Sequence, residues 1–201
     1  MRWLYHYLFP VMWIAFFLYW RLAAIGGKAA RRVEGMPSRM LRVTLWIGAL
    51  GILMVDRLPL PWLYREFYRP GLVGFWAGAS LTLAGLFFAV WARRHLGTNW
   101  SRSVTLKKGH ELITSGPYRM VRHPIYTGLL AGFLGMAVAI GQVRGVLAFL
   151  LVLAALWMKW RLEEQWMREE FGQTYADYAR RVPAVAPRLM QVLPGNSEVM
   201  K

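Results

Sequence analysis

A chain of 201 residues with 57% hydrophobic residues, eleven Trp and ten Phe is long enough for one compact domain and more apolar than a soluble one. A net charge of +15 whose positive residues flank apolar runs of membrane length points to the basic loops of a multi-span membrane protein, and against nucleic-acid binding. With no cysteine there is no disulfide framework and no thiolate nucleophile or metal ligand.

A helix needs about 20 apolar residues to cross a bilayer. On that basis the chain is expected to be an all-α integral membrane protein with about five transmembrane helices. The first expected span, Trp3 to Trp20, contains no Asp, Glu, Lys or Arg. No polar region with a small-residue cleavage site follows it, so it reads as a retained span and not as a signal peptide. The second, Val43 to Val55, is uncharged but short, and reaches useful length only by passing Asp56 and Arg57 towards Leu63. Gly71 to Ala92 is the third and Pro124 to Val143 the fourth. The fifth, Gly145 to Met158, continues into Trp160, with Lys159 snorkelling at its end. Only Gln142 to Arg144 turns between the last two, which makes them a tight antiparallel pair. Small residues four apart (Gly74 and Gly78, Gly128 and Gly132, Ala131 with Gly135 and Ala139) would let helix backbones approach in lipid.

The loops alternate between rich and poor in positive charge. The first holds Lys28, Arg31, Arg32, Arg39 and Arg42 against Glu34; the third holds Arg93, Arg94, Arg102, Lys107, Lys108, Arg119 and Arg122; the fourth has only Arg144. The positive-inside rule then puts the N-terminus outside, with residues 96–123 and the tail in the cytosol. Beyond the last span, Leu162, Trp166, Met167, Phe171, Tyr175, Tyr178 and Val182 predict a cytosolic amphipathic helix, interrupted near Gly172 and ended by Pro183 and Pro187.

The most polar stretch, Leu96 to Gly128, holds His110 and His123. They stand thirteen residues apart without a paired His or Cys, so no metal site is expected. Ser115-Gly116-Pro117-Tyr118 reads as a tight turn. Arg122-His123-Pro124 biases His123 towards extended backbone where the fourth helix begins, with Tyr126 on its first turn. A turn, open backbone and a helix start together could form a small-molecule pocket. Glu163 and Glu164, one turn beyond Lys159, would lie on the same side, either neutralising basic loops or meeting a ligand.

The string H-E-L-I-T-S-G-P-Y-R-M-V-R-H-P-I-Y-T-G, a later E-E, and then F-G-Q-T-Y-A-D-Y-A-R-R-V-P resemble the isoprenylcysteine carboxyl methyltransferase family, which groups with the membrane phospholipid methyltransferases. The resemblance covers roughly residues 74 to 187. It implies methyl transfer from S-adenosylmethionine at the cytosolic membrane face. It also implies a methyltransferase core over 71–201, with 1–70 contributing two spans and a basic cytosolic loop. On it, His110, Glu111, Leu112 and Ile113 would contact the cofactor, followed by Gly116 and Tyr118. His123, Pro124, Ile125 and Tyr126 would wrap it. Glu163, or its neighbour Glu164, would be the carboxylate brought from the last helix. Members acting on prenylated cysteine are expected to carry an arginine one turn before that carboxylate. Lys159 stands there, with Arg161 nearby, and lysine does not replace arginine in bidentate carboxylate binding. The catalytic group is therefore expected among Lys159, Arg161, Glu163 and Glu164. The partners are a lipid bilayer and a lipophilic or small acceptor, with thiol, carboxylate and amine all open. Competing expectations are a sterol-reductase-like enzyme using NADPH and a non-enzymatic membrane protein that binds lipid or a partner.

Overall fold

The computed structural model describes residues 2–23, 34–55, 58–97 and 112–187. Five helices carry the fold: α1 (Arg2–Leu22), α2 (Met36–Met54), α3 (Gly71–Leu96), α4 (Pro124–Ile140) and α5 (Val143–Arg181). Short 3-10 turns occupy Pro61–Tyr64 and Gly116–Arg119. The described residues are thus all-helical, as expected from the apolar runs.

Helices α3 and α4 form the centre, and glycine lets them touch. A Cβ on Gly78 would meet the backbone of Gly135 and Ala139, and one on Gly85 would meet Gly128, Ala131 and Gly132. Backbone contact of this kind replaces the hydrophobic drive that helices lack in lipid. The buried Thr82 hydroxyl sits at the same seam, 3.0 Å from the carbonyls of Gly78 and Gly132. Gly74 takes no part in it: its neighbours are Pro70 and Tyr68. Helix α1 crosses this pair, with Trp13 packed on Phe133 and its indole N–H 3.1 Å from the Met136 sulfur.

Helix α2 begins at Met36, ahead of the expected Val43, and takes in Arg42. It stops at Met54 and does not run on to Leu63, which sits in the 3-10 turn. Pro59 and Pro61 lack the N–H groups a continued helix would need; Asp56 and Arg57 lie outside the described residues. Helix α2 runs antiparallel to α5. The Val55 carbonyl is 3.5 Å from Arg144 Nη1 at one end, and Gly48 stands opposite Leu151 midway.

Gly141, in the left-handed region at φ +63, ends α4 and lets α5 start two residues later. That turn is pinned from outside: Val143 N–H donates to the Arg65 carbonyl at 3.1 Å and Phe67 N–H to the Gly141 carbonyl at 3.1 Å. Helix α5 then continues well past the expected span, broken at Gly172 (φ +51, ψ −123) as its glycine suggested. Helices α3 and α5 are long and apolar enough to cross a membrane, and α4 is a shorter apolar helix. Val11, Ile14, Leu18, Ile47, Val73, Phe87 and Leu150 are exposed. Apolar side chains spread over the outer faces of several helices suit contact with lipid.

Candidate functional site

The site lies at the end of the bundle opposite the Gly141 turn. Four pieces of chain meet there: the 3-10 turn Gly116–Arg119, the start of α4, residues 159–164 of α5, and a strap at 182–187 that follows α5.

Pro124 opens α4 with its ring at the first helical position, where its missing N–H costs nothing. His123 before it is held outside the helical region at φ −122, ψ 61. The strap fixes this start. Arg122 N–H donates to the Pro183 carbonyl at 2.8 Å, His123 N–H to Ala184 at 2.9 Å, and the Thr127 hydroxyl to Val185 at 2.7 Å. Strap and helix start therefore behave as one piece, although sixty residues separate them in sequence.

The two neighbouring glutamates do different work. Glu164 is 9% exposed at its side chain and is saturated. Its Oε1 accepts from Arg122 Nε at 2.9 Å and Nη2 at 2.5 Å, and lies 3.1 Å from His123 Nε2. Arg122 spends its remaining reach on the carbonyls of Ala179 and Val182, at 2.9 and 2.5 Å. Burial alone would raise the Glu164 pKa, but the hydrogen bonds and charges of His123 and Arg122 hold it down at about 2. Glu164 is thus held as an anion at neutral pH and ties α5 to α4 and to the strap.

Glu163 is 25% exposed at its side chain. The Tyr126 hydroxyl lies 2.6 and 2.7 Å from its two oxygens. Lys159 Nζ is 3.9 Å away and sits 5.2 Å over the Tyr126 ring; His123 Nδ1 is at 3.7 Å. The His123 ring stacks on Tyr126 at 5.4 Å between centroids and on Trp160 at 6.2 Å. Glu163 therefore presents its carboxylate beside aromatic faces, with the Lys159 ammonium as an ion-pair partner only at the outer limit of contact. Carboxylate plus aromatic faces is a setting that favours a cationic ligand.

Across from it, Tyr118 is buried, and its hydroxyl pKa is pushed well up, first by burial and then by the Glu163 charge. Its carbonyl accepts from the Tyr178 hydroxyl at 2.6 Å. Gly116 adopts φ +57, and a side chain there would strike the His95 ring. His95 stacks on Tyr118 and its Nε2 lies 2.9 Å from the Ser115 hydroxyl.

Of the residues expected at the site, Tyr118, His123, Tyr126, Lys159, Glu163 and Glu164 are brought together. Pro124 and Ile125 are buried in the start of α4, and Ile113 packs on the core beside Leu112 in the approach to Gly116. Arg161 is exposed and turned aside, its guanidinium 5.5 Å over the Trp157 ring. His110 and Glu111 lie outside the described residues. Sequence reasoning did not single out Arg122, Trp160 or the strap. An arginine directly before His-Pro, with a glutamate pair awaiting a partner, was the available signal for the first.

The profile of the phospholipid methyltransferase family matches residues 73–174, about half of the chain. The chain belongs to that family. Among its relatives, protein-S-isoprenylcysteine O-methyltransferase B of Arabidopsis thaliana is 27% identical over 141 residues, covering 64% of this chain and 68% of that protein. A probable protein-S-isoprenylcysteine O-methyltransferase of Oryza sativa subsp. indica is 29% identical over 146 residues, 71% and 75% of the two chains. The cobalt-zinc-cadmium resistance protein CzcN of Cupriavidus metallidurans is 34% identical over 119 residues, 58% and 53%. As a member of the phospholipid methyltransferase family, with the resemblance to isoprenylcysteine carboxyl methyltransferases upheld by the Arabidopsis and Oryza relatives, the chain is a membrane methyltransferase. Family membership implies S-adenosylmethionine as methyl donor. The matched segment takes in α3, α4 and α5 to just beyond Gly172; α1, α2 and the strap lie outside it.

Proposed function

We propose that this methyltransferase binds S-adenosylmethionine against Tyr118, His123, Tyr126 and Glu163 and passes its methyl group to a lipophilic acceptor that reaches the site from the bilayer. The observation that carries the reading is the unequal state of the two glutamates. Glu164 is consumed by Arg122 and His123, whereas Glu163 keeps its charge facing aromatic rings. S-adenosylmethionine has two cationic groups, a sulfonium and an ammonium, and a flat adenine. The residues present fit it: Glu163 for a cation, the stacked rings of His123, Tyr126 and Trp160 beside it, and Tyr118 for the flat base. No observation favours a nicotinamide cofactor or a purely lipid-binding role.

When bound, the cofactor supplies an electrophilic methyl, whose bond to sulfur breaks as the acceptor's lone pair forms the new bond. In-line transfer of this kind needs position and dryness more than proton transfer. The chain supplies both. Tyr126 fixes the Glu163 carboxylate through its hydroxyl. The Glu164–Arg122–strap network fixes the start of α4, and with it Tyr126. The buried Tyr118, Ile125 and Trp160 exclude water. Lys159, one turn before Glu163 and over the Tyr126 ring, is a cation that can face an anionic acceptor.

In this reading all five helices cross the bilayer, with the site on the cytosolic face and the N-terminus outside. The alternation of basic loops supports it, as do the apolar outer faces of α1 and α2. Residues 71–201 serve as the methyltransferase core, and 1–70 add two helices beside it. Calorimetry of S-adenosylhomocysteine, the demethylated product, against wild type, Glu163→Gln and His123→Ala tests the cofactor site. Binding that is weakened in both variants supports it, and unchanged affinity in both removes it.

A further inference from the structure

Helix α2, outside the family-matched residues, carries a buried ion pair level with the site. Arg42 presents both terminal nitrogens to the two oxygens of Glu34 in a bidentate fork. Ser38 lies between them, its hydroxyl 2.5 Å from Glu34 Oε1 and 3.3 Å from Arg42 Nη1. The side chains are 10% and 2% exposed. Ser38 and Arg42, four apart, share one face of α2, and Glu34, just ahead of the Gly35 cap, folds back onto them.

The α2–α5 register says what that face meets. Val55 is level with Arg144 and Gly48 with Leu151. The same offset puts Met40 level with Lys159 and Met36 with Glu163. Electrostatics agrees. Burial opposes the Glu34 charge, but Arg42 and Ser38 hold its pKa below the ordinary value, and the Lys159 charge adds to their effect. The pair therefore faces the group formed by Lys159, Tyr126 and Glu163.

A buried ion pair contributes little to stability, because desolvation offsets the attraction. Burying such a pair beside the site therefore calls for a reason other than stability. The planar fork of Arg42 is also the arrangement by which arginine takes up a carboxylate ligand. Lys159, the neighbouring cation, offers only a point charge.

Resting on the methyltransferase reading above, we propose that Arg42 is the acceptor-reading residue. It holds the carboxylate of an amphiphilic acid beside Lys159, and Glu34 occupies the fork as a stand-in while the acceptor is absent. Acceptor binding is then an exchange of one carboxylate for another in the Arg42 fork, with Ser38 able to turn to either. Nothing is bonded or broken in that exchange.

The test uses the full chain in lipid nanodiscs saturated with S-adenosylhomocysteine. Binding of N-acetyl-S-farnesylcysteine is compared with that of its carboxamide, which has the same tail and no charge. Wild type is expected to prefer the acid at least tenfold. Arg42→Lys, which keeps the charge and loses the fork, should cut that preference below threefold while leaving S-adenosylhomocysteine affinity unchanged. Glu34→Gln should bind the acid at least threefold more tightly than wild type. Should Arg42→Lys fail to fold, the double variant Glu34→Gln/Arg42→Gln keeps a hydrogen-bonded pair without charge and must also lose the preference. No acid preference in wild type, or one that survives in these variants, overturns the assignment while the cofactor site stands. A Glu34→Gln variant that is merely less stable, with acid affinity unchanged, makes the pair a brace and overturns it too. Absence of S-adenosylhomocysteine binding in wild type strikes the methyltransferase reading itself, and this inference with it.

Discussion

The Tyr126 hydroxyl lies 2.6 and 2.7 Å from the two oxygens of Glu163, bridging the first turn of α4 to the middle of α5. One neutral donor thus orients a carboxylate without cancelling its charge. Tyr126→Phe removes that donor and keeps the ring. A hydrogen bond to a charged group contributes about 1.5–3 kcal/mol, so cofactor affinity is expected to fall by about tenfold to a hundredfold. Calorimetry checks it; an unchanged dissociation constant would leave the contact a packing detail.

Glu164→Gln is expected to act on stability. The change leaves Arg122 buried with its main counter-charge gone, and breaking such a pair costs about 3–5 kcal/mol. The melting temperature of the cofactor-free protein should drop clearly. Glu163→Gln should leave it nearly unchanged. The reverse order of the two melting temperatures would exchange the roles assigned to them.

The same contrast sets a pH dependence. Glu164 is held at about 2 against an ordinary 4.5, so the folded state prefers it ionised. Its contribution is fully present above pH 4.5 and is lost as pH falls from there through about 2. Denaturation of wild type and Glu164→Gln should therefore show a stability gap that is constant at neutral pH and closes across that acid range. A gap that instead closes on raising the pH from 6 to 8 would contradict the assignment to Glu164.

How far the sequence could be read follows from what each feature depends on. The five helices were legible because apolar runs and Pro124 act locally; the end of the fourth at Gly141 was not, since the apolar run was read on to Val143. The breaks at Gly172 and after Met54 were legible or missed for local reasons too: the glycine was weighed, while Pro59 and Pro61 were not. The division of labour between Glu163 and Glu164 was not legible. Adjacent helical residues point about 100° apart, and which one meets Arg122 depends on how α5 is rotated against α4. The strap was hidden for a similar reason, since its bonds to Arg122, His123 and Thr127 join segments about sixty residues apart. Gly85 was overlooked because its partners, Gly128 and Ala131, lie on another helix.

Glycine contact between α3 and α4 makes its own prediction. In Gly78→Ala the new Cβ meets the carbonyl of Gly135 and lies 2.6 Å from the Ala139 nitrogen. Backbone cannot yield as a side chain tip can, and overpacking costs about 1–3 kcal/mol or more. Gly51→Ala meets nothing within 4 Å and should be neutral or stabilising. Comparable melting temperatures for the two variants would contradict the close seam.

Topology is open to a direct check. Reporter fusions at Gly35 and Lys201 should both read cytosolic if five helices cross with the N-terminus outside. Opposite sides for these two points would remove the arrangement.

The central claim is that Glu163, not Glu164, meets a cationic methyl donor. It is tested most directly by titrating S-adenosylmethionine into the purified wild type and into Glu163→Gln, with methyl transfer to a farnesylated cysteine followed alongside. The account predicts saturable binding to wild type, and in Glu163→Gln a loss of affinity of about tenfold or more with methyl transfer severely reduced and the fold intact. Wild-type affinity and transfer in Glu163→Gln would contradict it.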